Sequence, residues 1–319
     1  MYTKQLNYDG DLNPVLARAC AAYKVGDLIK TEHITDGYED FNVKVQATGG
    51  DFVAKIFSHS RTAVDETKRL LSIYQKLSEN QTAHPRLCAN GNSKIAFSDS
   101  GLEMIFMDFI DGESFYKIGP PNDAELQQII GNVADIHRIE FSDLPFQMDS
   151  WAVQNRHPLW NMTQEIIRTE YPGEYDFLQK AIAAFDRIPY EDLPHAFCHG
   201  DVSRQNTLRR KDGKIFMIDF SCANIYPRIH DFSVITTELM YGNGKSLYEN
   251  CDHALNIYSK LMPLADIERE YFRDYVGGAI ATLFMNPVAR KHKLGADSEQ
   301  SNYFIENALS LINQLQNTK

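Results

Sequence analysis

Between residues 197 and 220 the chain reads FCHGDVSRQNTLRRKDGKIFMIDF, which places two carboxylates and one amide at defined offsets: Asp201, Asn206 and Asp219. Ala196-Phe197-Cys198 predicts a short strand ahead of the loop that holds Asp201 and Asn206. Ile215–Ile218 predicts a return strand ending at Asp219, with Lys211-Asp212-Gly213-Lys214 as the turn before it. A hairpin of this kind brings strand ends to one edge, so the three side chains are expected to converge. One amide oxygen and one of the two carboxylates make a hard-oxygen site suited to Mg²⁺. The other carboxylate is left to accept a proton. These are the parts that phosphoryl transfer from ATP to a hydroxyl requires: a metal clamp on the phosphates and a base that orients the attacking group.

The elements that must position these groups follow from periodicity. A helix is expected near Asn13 to Lys24, with Pro14 in its first turn. Strands are expected over Leu28–Ile34, Phe41–Thr48 and Phe52–Phe57; the second alternates Phe41, Val43 and Val45 with Asn42, Lys44 and Gln46. Gly49-Gly50 is a hairpin signal. A helix over about Thr62 to Ser78 and strands near Lys94–Phe97 and Glu103–Phe106 complete a small antiparallel sheet with one inserted helix. After Asp111-Gly112 the period changes. Leu126, Ile129, Ile130, Val133 and Ile136 recur at helical spacing behind a cap at Asn122 or Asp123. Further helices are expected around Trp160–Glu170, Tyr175–Phe185, Asp231–Tyr241, Leu247–Leu261, Asp266–Phe284 and Asn302–Leu315. The expected class is α+β: a β-rich lobe over residues 1–107, a linker near 107–112, and a larger, mainly helical lobe within 108–319.

His199-Gly200-Asp201, Asn206 at the fifth position after the aspartate, and Asp219-Phe220 after a short hairpin resemble the aminoglycoside phosphotransferase/choline kinase superfamily, small-molecule kinases with a protein-kinase-like fold. The resemblance implies that Asp201 is the catalytic base, that Asn206 and Asp219 bind metal, and that Asp231 in SCANIYPRIHDFS braces the catalytic loop. His199 is read as structural, its ring hydrogen-bonded within that loop.

A kinase of this type also needs a strand lysine for the phosphates and a helix acid to orient it. Lys55 in Phe52-Val53-Ala54-Lys55-Ile56 is the lysine. Glu66 heads the stripe Glu66, Leu70, Ile73, Leu77 and is the acid, whereas Asp65 pairs with Arg69 in solvent. The loop holding Gly37 is expected over the phosphates, and GYEDFNVKV is similar to the first hairpin of the homoserine-kinase-like branch. Met104–Gly112 resembles the interlobe hinge, with backbone groups of Asp108, Phe109 and Ile110 at the adenine edge. His137, ending an amphipathic helix, is read as a core histidine.

For the acceptor the candidates are Tyr226, Arg228, Glu238, Tyr241 and Arg290. Acids such as Glu238 favour a cationic amine; Arg228 or Arg290 would favour a carboxylate. GGAIATLFMNPVARKHKLG is loosely similar to the C-terminal helix of homoserine-kinase-type members, which points to a small amino alcohol or hydroxy amino acid over a bulky aminoglycoside. The alternatives left open are a protein Ser/Thr acceptor and a nucleotide-sensing pseudokinase.

Composition narrows the field. Over 319 residues, 43% are hydrophobic, 24% are charged and the formal net charge is -11. An acidic chain lacks the basic face of a nucleic-acid binder. There is no apolar run of membrane-spanning length and no secretory leader in MYTKQLNYDGDLNPVL. Cys20, Cys88, Cys198, Cys222 and Cys251 are widely spaced, against a disulfide framework or a zinc site, so a reducing cytoplasm is the expected setting. The oligomeric state is not legible.

Overall fold

Asp11 starts the first helix by accepting the amide of Asn13 at 3.0 Å, and Lys24 ends it in the left-handed region at φ 56°. Between these caps α1 (Leu12–Tyr23) gathers Leu12, Val15, Leu16, Ala19 and Tyr23 on one buried face, the spacing of a helix that lies on a sheet. The computed structural model describes residues 6–34, 40–57, 64–89, 96–141, 143–147, 149–293 and 299–317.

In chain order, α1 is followed by β1 (Leu28–Ile34), β2 (Phe41–Ala47), β3 (Gly50–Ile56), α2 (Val64–Glu79), β4 (Ala96–Asp99), β5 (Leu102–Asp108) and β6 (Gly112–Ser114). Next come α3 (Phe115–Ile118), α4 (Asp123–His137), α5 (Arg156–Glu170), α6 (Pro172–Phe185), β7 (His195–Cys198), β8 (Thr207–Arg210), β9 (Ile215–Met217) and β10 (Asn224–Pro227). The chain closes with α7 (Ile229–Val234), which runs into a π-helical turn over Ile235–Leu239, then α8 (Leu247–Ser259), α9 (Asp266–Lys293) and α10 (Glu299–Asn317).

The chain forms two compact units. One comprises residues 1–113 and 208–221, the other residues 114–207 and 222–319. This division differs from a single boundary at 107/108, because the β8–β9 hairpin, and Asp219 with it, groups with the first unit.

In the first unit a five-stranded antiparallel sheet has the order β1-β2-β3-β5-β4. Tyr23 of α1 stacks on Phe106 with ring centroids 4.7 Å apart, and its hydroxyl donates to the Met104 carbonyl at 3.2 Å. The β2–β3 register pairs Ala47 with Gly50, so the two-residue loop is Thr48-Gly49, one residue earlier than the glycine pair suggests. The strand expected to end at Phe106 continues to Asp108, which pairs with Phe52; part of the expected linker is therefore ladder. A second sheet, β6-β8-β9, holds the return strand expected after the Lys211–Lys214 turn, paired with β8 and not with the strand ahead of the HGD loop, which pairs elsewhere.

The second unit is mainly helical. A capping box between Asn122 and Glu125 opens α4, and one between Ser246 and Glu249 opens α8. Strands β7 and β10 pair antiparallel, Cys198 opposite Asn224. Helix α9 runs well past the expected end at Phe284 and passes through Pro287. Residues 280 to 289 are buried without interruption, and that burial outweighs the backbone bond a proline forfeits. A side chain at Gly278 would sit 2.5 Å from the Phe185 ring, so glycine is what lets α9 approach α6.

Candidate active site

The groups that could do chemistry fall into two sets, one in each unit. In the first unit, β3 places Lys55 in the sheet with only 2% of its surface exposed. Its Nζ lies 2.9 Å from Asp219 Oδ1 and 3.2 Å from Asp40 Oδ2, and 3.5 Å from Ser221 Oγ. Burial on its own pushes the ammonium toward the neutral form, but Asp219 and Asp40 override it and hold the lysine charged, well above its ordinary range. Asp219 sits just past β9 in the left-handed region at φ 61°, a conformation that aspartate tolerates better than most residues. Its Oδ1 also accepts the Ser221 hydroxyl at 2.5 Å and the Ser221 amide at 3.3 Å.

Asp40 was missed in the sequence. The register carried the signal: Asn42 pairs with Lys55, so residue 40 falls on the same face as the lysine, a diagonal step away. Gly37 and the side chain of Glu66 lie outside the described residues; Glu66 belongs to α2.

Backbone groups at the expected hinge have partners within the sheet unit. The Asp108 amide donates to Arg86 O at 2.9 Å and the Phe109 amide to Asp51 O at 3.1 Å, while Ile110 O accepts the Gly112 amide at 2.9 Å. The Asp108 carboxylate is paired with Arg86 at 3.0 and 3.3 Å. These bonds occupy the Asp108 and Phe109 amides and the Ile110 carbonyl, three of the backbone groups in the stretch expected at an adenine edge.

In the second unit, the loop after β7 is held by one buried carboxylate. Asp231 accepts the amides of His199 at 3.0 Å and Gly200 at 2.8 Å, and His137 Nε2 lies 3.1 Å from it. Burial would raise this carboxyl, yet the His137 hydrogen bond and charge keep it below the usual carboxylate range. His137 in turn meets the Tyr258 hydroxyl at 2.8 Å. His137, Cys198 and Asp231 bring ligand-type atoms within 4.8 Å of one another, but the carboxylate and imidazole are already spent on this brace. The His199 ring accepts the Asp201 amide at 3.2 Å, the structural role read from the sequence. Gly200 takes φ 81°, and a Cβ there would lie 2.3 Å from the Cys222 carbonyl oxygen, so only glycine fits.

Asp201 is half-buried, and its Oδ2 accepts Asn206 Nδ2 at 2.7 Å; the same Nδ2 reaches Asp201 O at 3.2 Å. With its nitrogen committed to Asp201, the Asn206 amide turns its oxygen the other way. An amide oxygen from Asn206 and a carboxylate from Asp219 are the hard donors that Mg²⁺ takes, so the donor chemistry fits that ion.

The five acceptor candidates divide. Glu238, 5% exposed in the π-helical turn, receives Asn307 Nδ2 on its Oε1. Burial and the nearby charge of Asp201 push its carboxyl up to about 8, against the opposing pull of Asn307 and Arg204. Tyr241 lies beside Arg204, whose guanidinium carbon is 5.9 Å from the ring centroid. Tyr226 and Arg228 do not belong with them. Tyr226 is 1% exposed and packs against His230 at 4.5 Å. Arg228 makes two hydrogen bonds, 2.7 and 2.6 Å, to the buried Glu268 and a third to Pro263 O, so its charge serves the fold. Arg290 lies in the last turn of α9. Arg204, Tyr303 and Asn307 were not singled out in the sequence; Arg204 sits inside the HGD loop, a signal that position alone offered.

A sheet unit that buries a doubly paired strand lysine, and a helical unit that braces an HGD loop, define the kinase-like class of α+β phosphotransferase. The family model described as "Phosphotransferase enzyme family" matches residues 30–264. The homoserine kinase of Rhodopseudomonas palustris (strain BisB5) is 25% identical over 214 residues, 66% of this chain and 64% of that protein's own length. Two solved structures share the fold. The spectinomycin phosphotransferase in complex with ADP and spectinomycin has a TM-score of 0.69 at 12% identity, covering 94% of this chain and 98% of the other. The microcompartment-associated aminopropanol kinase has a TM-score of 0.69 at 14% identity, covering 94% and 95%. The chain belongs to the phosphotransferase enzyme family. Among the described residues no helix is long and apolar enough to cross a membrane.

Proposed function

We propose that this protein is an ATP- and Mg²⁺-dependent kinase that transfers the γ-phosphoryl group to the hydroxyl of a small acceptor, an amino alcohol or hydroxy amino acid such as homoserine. Family membership over residues 30–264, a span that contains Lys55, Asp201, Asn206 and Asp219, is the observation that carries this reading. Lys55, kept charged in a buried site, binds the phosphates. Asp201 orients the acceptor hydroxyl and takes its proton, with the Asn206 amide steering its carboxylate. Asn206 and Asp219 hold the metal, which when bound neutralises charge on the transferring group. Asp231 keeps the loop in register through the His199 and Gly200 amides. Catalysis on this scheme is positioning and charge neutralisation.

The homoserine and aminopropanol kinases among the matches favour a small acceptor, and no match named above supports a protein Ser/Thr acceptor. The test is ADP release by the purified chain with ATP, Mg²⁺ and a panel of hydroxylated amines, amino acids and aminoglycosides. Turnover that is abolished by EDTA and restored by excess Mg²⁺ is expected. ATP binding without transfer to any acceptor would overturn the kinase reading in favour of a nucleotide sensor.

A further inference from the structure

Among the described residues, four buried side-chain polar atoms find no hydrogen-bond partner: Gln154 Oε1, Arg204 Nη2, Tyr303 Oη and Asn307 Oδ1. Leaving such atoms unanswered is costly, and a buried guanidinium nitrogen most of all. The last three belong together. Asn307 donates to Glu238 and, at 3.1 Å, to Thr237 O. Arg204 Nε donates to Leu239 O at 3.2 Å, one residue beyond Glu238. Tyr303 feels the charges of both Glu238 and Arg204, and Glu238 feels that of Asp201. Arg204, Glu238, Tyr303 and Asn307 thus form one cluster, and its Glu238 lies within electrostatic reach of Asp201, the carboxylate assigned as catalytic base. Glu238 stands on the π-helical turn Ile235–Leu239, a local geometry frequent at functional sites.

The chemistry of the cluster has two signs. Arg204 Nη2 and the Tyr303 hydroxyl are donors that match a carboxylate. Glu238, which ionises once a cation offsets its burial, and Asn307 Oδ1 are acceptors that match an ammonium. An amino alcohol would answer only the second pair and leave a buried guanidinium nitrogen unmet. An acid lacking the amine would answer only the first.

We infer that Arg204 with Tyr303, and Glu238 with Asn307, are the specificity-determining residues that read the carboxylate and the ammonium of a short zwitterionic hydroxy amino acid whose hydroxyl faces Asp201. This inference rests on the proposed kinase reading and names the acceptor class of that same site.

The test compares kcat/KM of the full chain, with ATP and Mg²⁺, for three acceptors. L-Homoserine carries both groups; 3-aminopropan-1-ol lacks the carboxylate; 4-hydroxybutanoate lacks the ammonium. Calorimetric binding of each is measured alongside. Wild type is expected to prefer homoserine by about 100-fold or more over either analogue, since each analogue leaves a buried polar pair unmet. Arg204→Gln should lower the homoserine-to-aminopropanol ratio by about tenfold or more, and Glu238→Gln the homoserine-to-hydroxybutanoate ratio by a similar factor. Tyr303→Phe keeps the ring that packs on Tyr116 at 5.4 Å and serves if the charged variants do not fold; it should lower the first ratio several-fold. Ratios cancel any difference in active fraction.

Equal use of the three acceptors, or ratios unmoved by Arg204→Gln and Tyr303→Phe, would overturn the inference and leave the kinase reading standing. No transfer to any acceptor, with homoserine still bound in preference to both analogues, would overturn the kinase reading and leave the recognition site standing. Neither transfer nor selective binding removes both.

Discussion

Lys55 Nζ lies 2.9 Å from Asp219 Oδ1, and the pair joins a strand of the main sheet to the end of a hairpin 164 residues further along. The lysine side chain is 3% exposed while the aspartate is 36% exposed, so the cation is buried and its partner still meets solvent. A second, fully buried acid, Asp40, holds the other side. The arrangement holds the lysine in its charged form within the buried site.

Lys55→Met should therefore damage both stability and turnover. Removing the ammonium takes its cationic partner from the buried Asp40, at a cost of about 2–4 kcal/mol, moderated by the exposure of Asp219. Turnover should fall by about 100-fold or more. Urea unfolding and steady-state ADP release measure the two effects; a variant as stable as wild type would contradict the buried pairing.

Asp201→Asn tests the base. Asparagine preserves shape and can still accept the Asn206 amide, so stability should change by less than about 1 kcal/mol. Phosphoryl transfer should fall by about 10²–10⁴-fold while ATP binding persists. Transfer at the wild-type rate would remove Asp201 from the mechanism.

Glu238 predicts a pH dependence with a definite sign. Its carboxyl is raised from an ordinary 4.5 to about 8, by burial first and then by Asp201, with Asn307 and Arg204 opposing. The folded state then binds more protons than the unfolded state between pH 4.5 and 8, so this group lowers stability progressively as pH rises through that window. Glu238→Gln removes the penalty. Its advantage over wild type should be small at pH 5 and grow toward pH 8, by roughly 1 kcal/mol per unit at most, levelling off above. Thermal melts of both proteins across this range decide the matter; a constant difference would show that Glu238 does not titrate there.

Arg228→Met separates a structural arginine from a substrate-binding one. Glu268 is fully buried and would lose a bidentate partner, costing about 3–5 kcal/mol. A lower melting temperature is expected, with KM for the acceptor unchanged in the molecules that remain folded. A raised KM at wild-type stability would return Arg228 to the acceptor site.

Much of this was legible before any tertiary structure. The expected strands over 28–34, 41–48 and 52–57 and the helices opening at 123, 247 and 266 lie within a few residues of those observed, because period and caps are local properties. Where expectation failed, long-range contacts decided. Strand β10 exists only because Asn224–Pro227 finds β7, and α9 passes Pro287 only because its flanks are buried. The Asp108 and Phe109 amides donate to Arg86 and Asp51, partners that lie outside the hinge stretch.

The amino-acid sequence by itself determined which chemical groups this protein carries and their offsets along the chain: an HGD loop, an asparagine five residues on, an acid after a hairpin and a lysine inside an apolar strand. Tertiary structure decided which of the remaining charges are spent and which are held ready. Arg228 is consumed by Glu268, whereas Arg204 keeps a buried nitrogen unanswered beside Glu238. The reason is desolvation: the cost of a charge depends on what packs around it, and here those neighbours arrive from positions as far apart as 204 and 303.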